Sequence, residues 1–263
     1  MEIPAQTGPL CLRCGETLGS VSAAPAANAD SAAPILCRAC RLAPPPFEKA
    51  VAFGSYEGRM RDLIHALKYD RLRSVAPKLG ELLALAIARL APDAPAELLV
   101  VPVPLHRSKF ADRGFNQARL LAAEAIDCLH KHHTAWRLTL APSTLMRLRV
   151  TESQAGLTPR QRRLNVRGAF GVTDPAAVAG KHVLLVDDIL TTGATARAAA
   201  HALLQAGAES VWVASLARAH MSGHTSESTP SFMTDVANDR FINKAPAVPL
   251  QRATMNSLNQ PSF

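Results

Sequence analysis

Two adjacent aspartates, Asp187 and Asp188, stand between an apolar run at residues 183–186 and a short segment rich in threonine. The segment consists of Thr191, Thr192, Gly193, Ala194 and Thr195. We expect a strand, a tight turn and a helix, so that backbone N–H groups and the positive end of the helix dipole converge on one point. A phosphate fits there, and the carboxylates, which would repel it, should face ribose hydroxyls and a hydrated magnesium ion. The alternative is an ordinary turn with two solvated aspartates.

A basic segment follows a second apolar run, at residues 98–103. Its candidate ligand residues are Leu105, His106, Arg107 and Arg113. A departing pyrophosphate carries several charges and needs backbone donors with cations nearby, which a loop at the end of a strand can supply. The alternative is a surface loop in which Asn116 only caps the next helix.

Two further basic features have open interpretations. Lys68 ends an amphipathic helix and is a candidate phosphate ligand, or it is only a favourable partner of the helix dipole. Arginines also cluster between positions 147 and 167, with little apolar content to anchor them. That stretch predicts a mobile cover over the ligand, a solvated basic loop, or a surface that contacts DNA.

Four of the five cysteines form two close pairs, Cys11 with Cys14 and Cys37 with Cys40. Two such pairs offer the four thiolates that one tetrahedral zinc ion needs. Four protein ligands leave no open coordination position, so we expect structural zinc in a segment too poor in large apolar residues to fold alone. A redox pair or disulfides are the alternative. Cys128, alone on a helix face, is predicted to pack as a small apolar residue.

Composition limits the class of protein. About half of the 263 residues are apolar, which suffices for at least one globular core. The net charge of +8, concentrated between residues 59 and 167, favours a phosphorylated small molecule or nucleic acid as ligand. Because we find neither an apolar run of about 18 residues nor a signal peptide, we expect a cytoplasmic protein with no membrane partner.

Hydrophobic periodicity predicts the elements that position these residues. Apolar residues at helical spacing predict helices near residues 60–67, 79–90, 121–129 and 196–205. Short apolar runs predict strands at residues 98–103, 183–186 and 211–216, and a further strand near Phe170. Strands that alternate with helices indicate an α/β fold, with a parallel sheet flanked by helices on both faces.

Proline and polar segments predict the domain limits. Three consecutive prolines within residues 43–46 cannot continue a helix or a central strand. They should separate a zinc ribbon module at residues 1–46 from a domain at residues 47–218. Residues 219–263 are rich in Ser, Thr, Asn and Pro without a sustained period, and we predict a disordered tail there.

Together these motifs resemble the ComF family in order and spacing. They are the two cysteine pairs, Ala66-Leu67-Lys68-Tyr69, Val101-Pro102-Val103-Pro104, Arg113-Gly114-Phe115-Asn116-Gln117, Gln154-x-Gly156-Leu157, Arg163-x-Asn165 and residues 183–195. The last also resembles the phosphoribosyl pyrophosphate signature of type I phosphoribosyltransferases, whose acidic pair holds the ribose and whose following loop holds the 5-phosphate. Family members commonly carry Gly after Lys-Tyr, where this chain has Asp70.

The resemblance covers about residues 10–218 and implies a type I phosphoribosyltransferase-like sheet joined to an N-terminal zinc ribbon, linked in many bacteria to DNA uptake in competence. In one hypothesis, magnesium and phosphoribosyl pyrophosphate bind, Asp187 and Asp188 are the catalytic residues, and an unidentified nucleophile displaces pyrophosphate at C1. In the other, transfer is lost and the protein binds single-stranded DNA or a competence helicase. Few aromatic residues weaken the second hypothesis. A homo-oligomer is compatible with both.

Overall fold

The structure is a computed structural model that describes residues 3–18, 35–132, 135–149, 161 and 168–219. By its contacts the chain divides into a unit at Met1–Ser222 and a unit at Gly223–Phe263. The second unit lies outside the described residues, and so does most of the arginine-rich stretch between positions 150 and 167. The predicted tail and the predicted cover therefore stay predictions.

Five parallel strands form the central sheet. In sheet order they are β1 (Ala50–Ser55), β7 (Ser210–Arg218), β6 (His182–Leu190), β2 (Glu97–Pro102) and β3 (Arg137–Leu140). The strands in the middle are continuous apolar runs because both of their faces are covered. The predicted parallel sheet flanked by helices is confirmed.

Helices cover the two faces of the sheet. On one face lie α2 (Gly58–Tyr69), α3 (Ala76–Ala88) and α5 (Gln117–His132), and on the other lies α6 (Ala194–Gln205). Side chains alternate along β6 accordingly: Leu184 packs in the first core, whereas Val183 and Leu185 pack in the second. None of the helices in the described part of the chain is long and apolar enough to span a membrane.

Gly80 allows α3 and α5 to approach each other closely. A Cβ at this position would lie 2.3 Å from the Cβ of Glu124 and 3.1 Å from the backbone carbonyl carbon of that residue. Because a close backbone cannot yield as a flexible side chain can, the position requires glycine. The close contact fixes the position of α5, which follows the segment that leads on from the end of β2.

Several elements differ from the sequence predictions. The predictions omit β1, β3, the short helices α1 (Arg38–Leu42) and α4 (Arg107–Arg113), a 3₁₀ turn at Arg73–Val75, and strand β4 (Leu145–Arg147). Strand β4 pairs in antiparallel fashion with the anticipated strand at Phe170, β5 (Phe170–Val172).

The predicted turn at Asp187 is wrong, because β6 continues through both aspartates to Leu190. Pairing with β7 carries the extended backbone onward, with Asp187 opposite Ser215 and Leu190 opposite Arg218. Tertiary pairing of this kind overrides the low strand propensity of aspartate. The turn begins only at Thr191.

Candidate functional site

A cavity of about 430 Å³ lies at the edge of the sheet where the parallel strands end. Its wall includes positions just beyond four strands: Tyr56 after β1, residues 103–105 after β2, Thr191 after β6 and Ala219 after β7. Ligands of open α/β sheets bind in the crevice outside the carboxyl ends of the strands. The topology alone therefore marks this cavity as the candidate site.

Most of the residues that the sequence analysis singled out border this cavity. They are Lys68, Leu105, Arg113, Asp187, Asp188, Thr191, Gly193, Ala194 and Thr195. They come from four places in the chain: the end of α2, the segment after β2, helix α4, and the junction of β6 with α6. The fold thus brings the separate sequence motifs to one point, and their role in binding stays a prediction.

Three of the singled-out residues are absent from the described lining of the cavity. His106 and Arg107 start α4, where the His106 ring nitrogen accepts a hydrogen bond from the Ser108 N–H at 3.2 Å and caps the helix. The side chain of Thr192 accepts a hydrogen bond from the Ala194 N–H at 3.3 Å and borders a neighbouring cavity. The predicted basic loop is therefore a short helix.

The turn between β6 and α6 has the backbone geometry of an anion site. Gly193 lies in the left-handed region at φ 72° and caps α6, its carbonyl accepting a hydrogen bond from the Arg197 N–H at 2.8 Å. Among the described residues, no acceptor contacts the backbone N–H groups of Thr191, Thr192 or Gly193. Because these donors stand beside the positive end of the α6 dipole, an anion there would be stabilised.

Asp188 forms a buried ion pair with Lys68. The lysine Nζ lies 2.5 Å from the Asp188 Oδ2, and the two side chains are 14% and 6% exposed. Burial acts to raise the pKa of Asp188, but the nearby Lys68 ammonium outweighs it and holds that pKa below its usual value. Burial acts to lower the pKa of Lys68, but the Asp188 carboxylate outweighs it and raises that pKa above its usual value. Both groups are therefore charged at neutral pH.

Asp187 has a different environment from its neighbour. Its Oδ1 accepts a hydrogen bond from the Asp188 N–H at 2.9 Å. Burial, and then the adjacent Asp188 charge, raise the pKa of Asp187 to about 8. Asp188 thus favours its charged form, whereas Asp187 retains a proton to higher pH than an ordinary carboxyl, so the pair can both accept and donate hydrogen bonds. That combination suits adjacent hydroxyl groups of a sugar.

Cations surround the acid pair. Lys68, Lys109, Arg113 and Arg147 all border the cavity. Burial, and then the neighbouring cations Arg147, Arg113 and Lys68, lower the pKa of Lys109, which shows how densely positive charge is packed. Burial also lowers the pKa of Arg147. Cations in excess over carboxylates favour a ligand with several negative charges.

The predicted ligand residues do not include Lys109 or Arg147, although Lys109 lies within the predicted basic segment and Arg147 begins the arginine cluster. Lys109 lies on α4, which the sequence predictions treated as loop. Arg147 ends β4, and its guanidinium carbon lies 5.3 Å from the centre of the Phe170 ring on β5. No local spacing announces this arginine, because the β4–β5 pairing is what brings it to the cavity.

The turn after α2 forms without the glycine that is common in the ComF family. Asp70 takes φ −88° and ψ 1°, a conformation open to any residue. The left-handed position falls instead on Arg71, at φ 54°. The Arg71 guanidinium donates a hydrogen bond to the Asp112 carbonyl, which connects this turn to α4. The departure at Asp70 therefore leaves the end of α2, and with it Lys68, in place.

The four cysteines form one cluster. The sulfur atoms of Cys11, Cys14, Cys37 and Cys40 all lie within 4.8 Å of one another, and none is in a disulfide. The sulfur atoms of Cys14 and Cys37 are 3.7 Å apart, close to the ~3.8 Å expected between two ligands of a tetrahedral zinc ion. This donor set could hold one metal ion such as zinc.

Tight turns place the sulfur ligands. Gly15 closes the first turn with a 2.9 Å hydrogen bond from its N–H to the Cys11 carbonyl, and its φ of +67° requires glycine. Cys37 caps α1, and its sulfur accepts a hydrogen bond from the Cys40 N–H at 3.4 Å. Each cysteine pair is therefore held in a short turn of fixed shape.

Arg218 connects the cysteine cluster with the end of β7. Only 4% exposed, it donates two hydrogen bonds to the Glu16 Oε2, at 2.6 and 2.8 Å, and its Nη2 lies 3.7 Å from the Cys14 sulfur. In the sheet Arg218 pairs with Leu190, the residue directly before Thr191. The cysteine cluster thus supports the strand ends that carry the turn between β6 and α6.

Comparison with known proteins identifies relatives of this chain. The family described as Phosphoribosyl transferase domain matches residues 133–249. The DNA utilization protein YhgH of Salmonella typhi is 33% identical over 211 residues, 80% of this chain and 84% of that protein. Competence protein F of Haemophilus influenzae is 30% identical over 186 residues, 70% of this chain and 78% of that protein.

A solved hypoxanthine-guanine phosphoribosyltransferase from Schistosoma mansoni, in complex with IMP, aligns with 56% of this chain and 57% of its own at 20% identity. The TM-score of this alignment is 0.31. The sequence relatives alone show the family of this chain, because their identity extends over most of both chains. The resemblance of the motifs therefore reflects common ancestry, and the chain belongs to the ComF family.

Proposed function

We propose that this protein binds phosphoribosyl pyrophosphate together with magnesium in the cavity at the carboxyl edge of the sheet. The observation that supports this most directly is a glycine-capped turn next to an acid pair that cations surround; its amides at residues 191–193 have no acceptor within the described ranges of the chain. A phosphate, a sugar diol and a pyrophosphate are three chemically different groups, and one molecule carries all three. We further propose that the phosphoribosyl group passes to an acceptor.

Each part of the cavity has a role in this proposal. The amides of residues 191–193 and the hydroxyls of Thr191 and Thr195 hold the 5-phosphate. Asp187 and Asp188 hold the ribose hydroxyls, and Lys109, Arg113 and Arg147 hold the pyrophosphate. Magnesium, a hard cation that commonly binds substrate phosphates, arrives with the pyrophosphate oxygens.

The reaction that this arrangement suits is displacement at the ribose C1. A nucleophile forms a bond to C1 while the bond from C1 to the pyrophosphate oxygen breaks, and that electron pair leaves with the pyrophosphate. Positive charge develops on the sugar ring in the transition state. The buried carboxylate of Asp188 stabilises it, and the cations stabilise the departing group, so positioning and electrostatics supply the rate.

Calorimetric titration of phosphoribosyl pyrophosphate with magnesium into the full chain tests the proposal. We expect saturable binding by the wild type and roughly 10- to 100-fold weaker binding by Asp188→Asn, because hydrogen bonds to a charged group contribute about 1.5–3 kcal/mol each. Asp187→Asn replaces a carboxyl that holds its proton more readily, and it should weaken binding about 2- to 12-fold, since a neutral hydrogen bond contributes about 0.5–1.5 kcal/mol. The matched control is Asp127→Asn, an exposed carboxylate on α5, which should bind as the wild type does.

Two results would contradict the proposal. Absence of any heat of binding in the wild type would remove phosphoribosyl pyrophosphate as ligand, and unchanged affinity in both site variants would remove this cavity. Misfolding is controlled with Asp187→Asn: because burial already raises the pKa of that carboxyl, a neutral amide should leave the thermal melting curve intact.

Single-stranded DNA is a second candidate ligand, and one feature favours it. Tyr69 and Phe110 are 61% and 50% exposed, unusual for aromatic side chains, and they lie on elements that border the cavity. The Arg113 guanidinium carbon stands 5.2 Å from the centre of the Tyr69 ring. Exposed aromatic rings among arginines form the stacking platforms of single-strand binding proteins. The relatives' names, which refer to DNA utilization and competence, point the same way.

Fluorescence anisotropy with a labelled single-stranded oligonucleotide tests this candidate. Binding should weaken steeply with salt, and Tyr69→Ala or Phe110→Ala should weaken it about 5- to 100-fold, as expected for loss of one stacked base. Leu85→Ala is the control, since Leu85 is 57% exposed on α3. Absence of binding at low salt would exclude this function.

A further inference from the structure

Asp188, one of the two aspartates of the cavity, already forms an ion pair with Lys68. Lys68 reaches from the last turn of α2 to β6, where its Nζ lies 2.5 Å from the Asp188 Oδ2. Ile64 and Leu67, on the preceding turn, are fully buried and fix the end of α2 against the core. The position of the ammonium is therefore set by the fold rather than by a mobile side chain on the surface.

This arrangement conflicts with direct binding of a divalent metal at Asp188. Magnesium requires oxygen ligands at about 2.0–2.1 Å in octahedral geometry, and an ammonium within hydrogen-bond distance of the same carboxylate oxygen repels it. Displacing Lys68 would leave a buried ammonium, only 14% exposed, without its partner. Arg113, Lys109 and Arg147 add to the repulsion from the other walls of the cavity.

We propose that Lys68 is a resident counter-ion that keeps divalent cations off Asp188, so that magnesium enters this cavity only in complex with the phosphorylated ligand. The inference rests on the proposed function and specifies the order of binding at the same site. Lys68 is a positioning residue: it holds the Asp188 carboxylate charged and oriented while the cavity is without ligand. The ribose diol then meets a carboxylate that no metal has occupied.

The test is a titration with Mn²⁺ alone, followed by the electron paramagnetic resonance signal of the free ion, on the full chain loaded with zinc. The wild type should show no saturable Mn²⁺ site that depends on Asp188. Lys68→Met uncovers two adjacent carboxyls and should gain one Mn²⁺ site, with affinity raised at least about tenfold. Lys68→Arg retains a cation and should exclude Mn²⁺ as the wild type does.

Two controls make the gain specific. The double variant Lys68→Met with Asp188→Asn should lose the new site, whereas Lys78→Met removes an exposed lysine of α3 and should change nothing. If Lys68→Met does not fold, Lys68→Gln uncovers the same carboxyls with a polar side chain and should also gain the site.

The proposal is overturned if the wild type and the neutral Lys68 variants bind Mn²⁺ equally, or if the wild type has a site that Asp188→Asn removes. Because this titration contains no phosphoribosyl compound, its result is separate from the calorimetric test. If phosphoribosyl pyrophosphate does not bind in the calorimetric test but the Mn²⁺ titration gives the expected results, the counter-ion role of Lys68 stands and only the proposed ligand is wrong.

Discussion

Replacing Cys40 by serine should abolish stoichiometric zinc binding and destabilise the chain more than any single truncation of its apolar core. Apparent zinc binding stabilises small modules by about 10–16 kcal/mol, whereas large-to-small core substitutions cost about 2–5 kcal/mol. The N-terminal module at residues 1–46, which contains the cysteine cluster, has a small apolar core. Besides three of the four cysteines, the large buried apolar side chains that the structure describes in this module or directly after it are Leu18 and Phe47. Loss of one thiolate should therefore unfold the module.

Elemental analysis of zinc per chain and thermal melting with and without a chelator measure this effect. The wild type should carry about one zinc ion for its four thiolates and should melt at lower temperature after chelation. Cys128→Ser is the matched control, because Cys128 is half-buried on α5, away from the cluster, and should keep both the zinc and the melting temperature. Zinc far below one ion per wild-type chain, or full zinc in Cys40→Ser, would contradict the assignment.

The sequence predicts the middle of the sheet and misses its edges, for a physical reason. Strands β2, β6 and β7 are buried on both faces and therefore appear as continuous apolar runs. The missed strands β1 and β3 lie at the two edges. In β1 the small residues and Gly54 give a weak local signal, and only the pairing of Ala50 with Val213 on β7 makes it a strand.

The candidate site divides in the same way. Asp187 and Asp188 lie close in sequence to the threonine-rich turn at residues 191–195, so their residue types alone predict an anion site. Lys109 and Arg147 reach the cavity through a short helix and an antiparallel strand pair, which no local pattern reveals.

The contact between Lys68 and Asp188 is a feature of the site that the sequence does not predict. The sequence places Lys68 at a helix end, where it is a candidate phosphate ligand, although a lone lysine there is more often only a partner of the helix dipole. The structure shows its ammonium on Asp188, from a distant part of the chain. A contact between side chains of two separate elements depends on how those elements pack, which neither periodicity nor spacing encodes.

Replacing Arg218 by methionine should lower the free energy of unfolding by about 3–5 kcal/mol, the range found when one partner of a buried ion pair is removed. Arg218 is 4% exposed, and its loss leaves the Glu16 carboxylate, whose side chain is 19% exposed, facing an apolar neighbour. Exposed pairs contribute only about 0–1 kcal/mol. The Arg13–Glu48 pair, at 3.2 Å with side chains 35% and 47% exposed, therefore supplies the matched control, Arg13→Met.

Urea unfolding followed by tryptophan fluorescence measures both variants, since Trp212 lies buried in β7 and its Nε1 donates a hydrogen bond to the Ser210 hydroxyl at 3.0 Å. A double-mutant cycle with Glu16→Gln isolates the pair from the lost packing of the arginine stem. Because Arg218 also contacts the Cys14 sulfur at 3.7 Å and pairs with Leu190, directly before the turn between β6 and α6, Arg218→Met should weaken zinc retention and phosphoribosyl pyrophosphate binding together. Equal destabilisation by Arg218→Met and Arg13→Met would show that the buried pair does not join the cysteine cluster to the sheet.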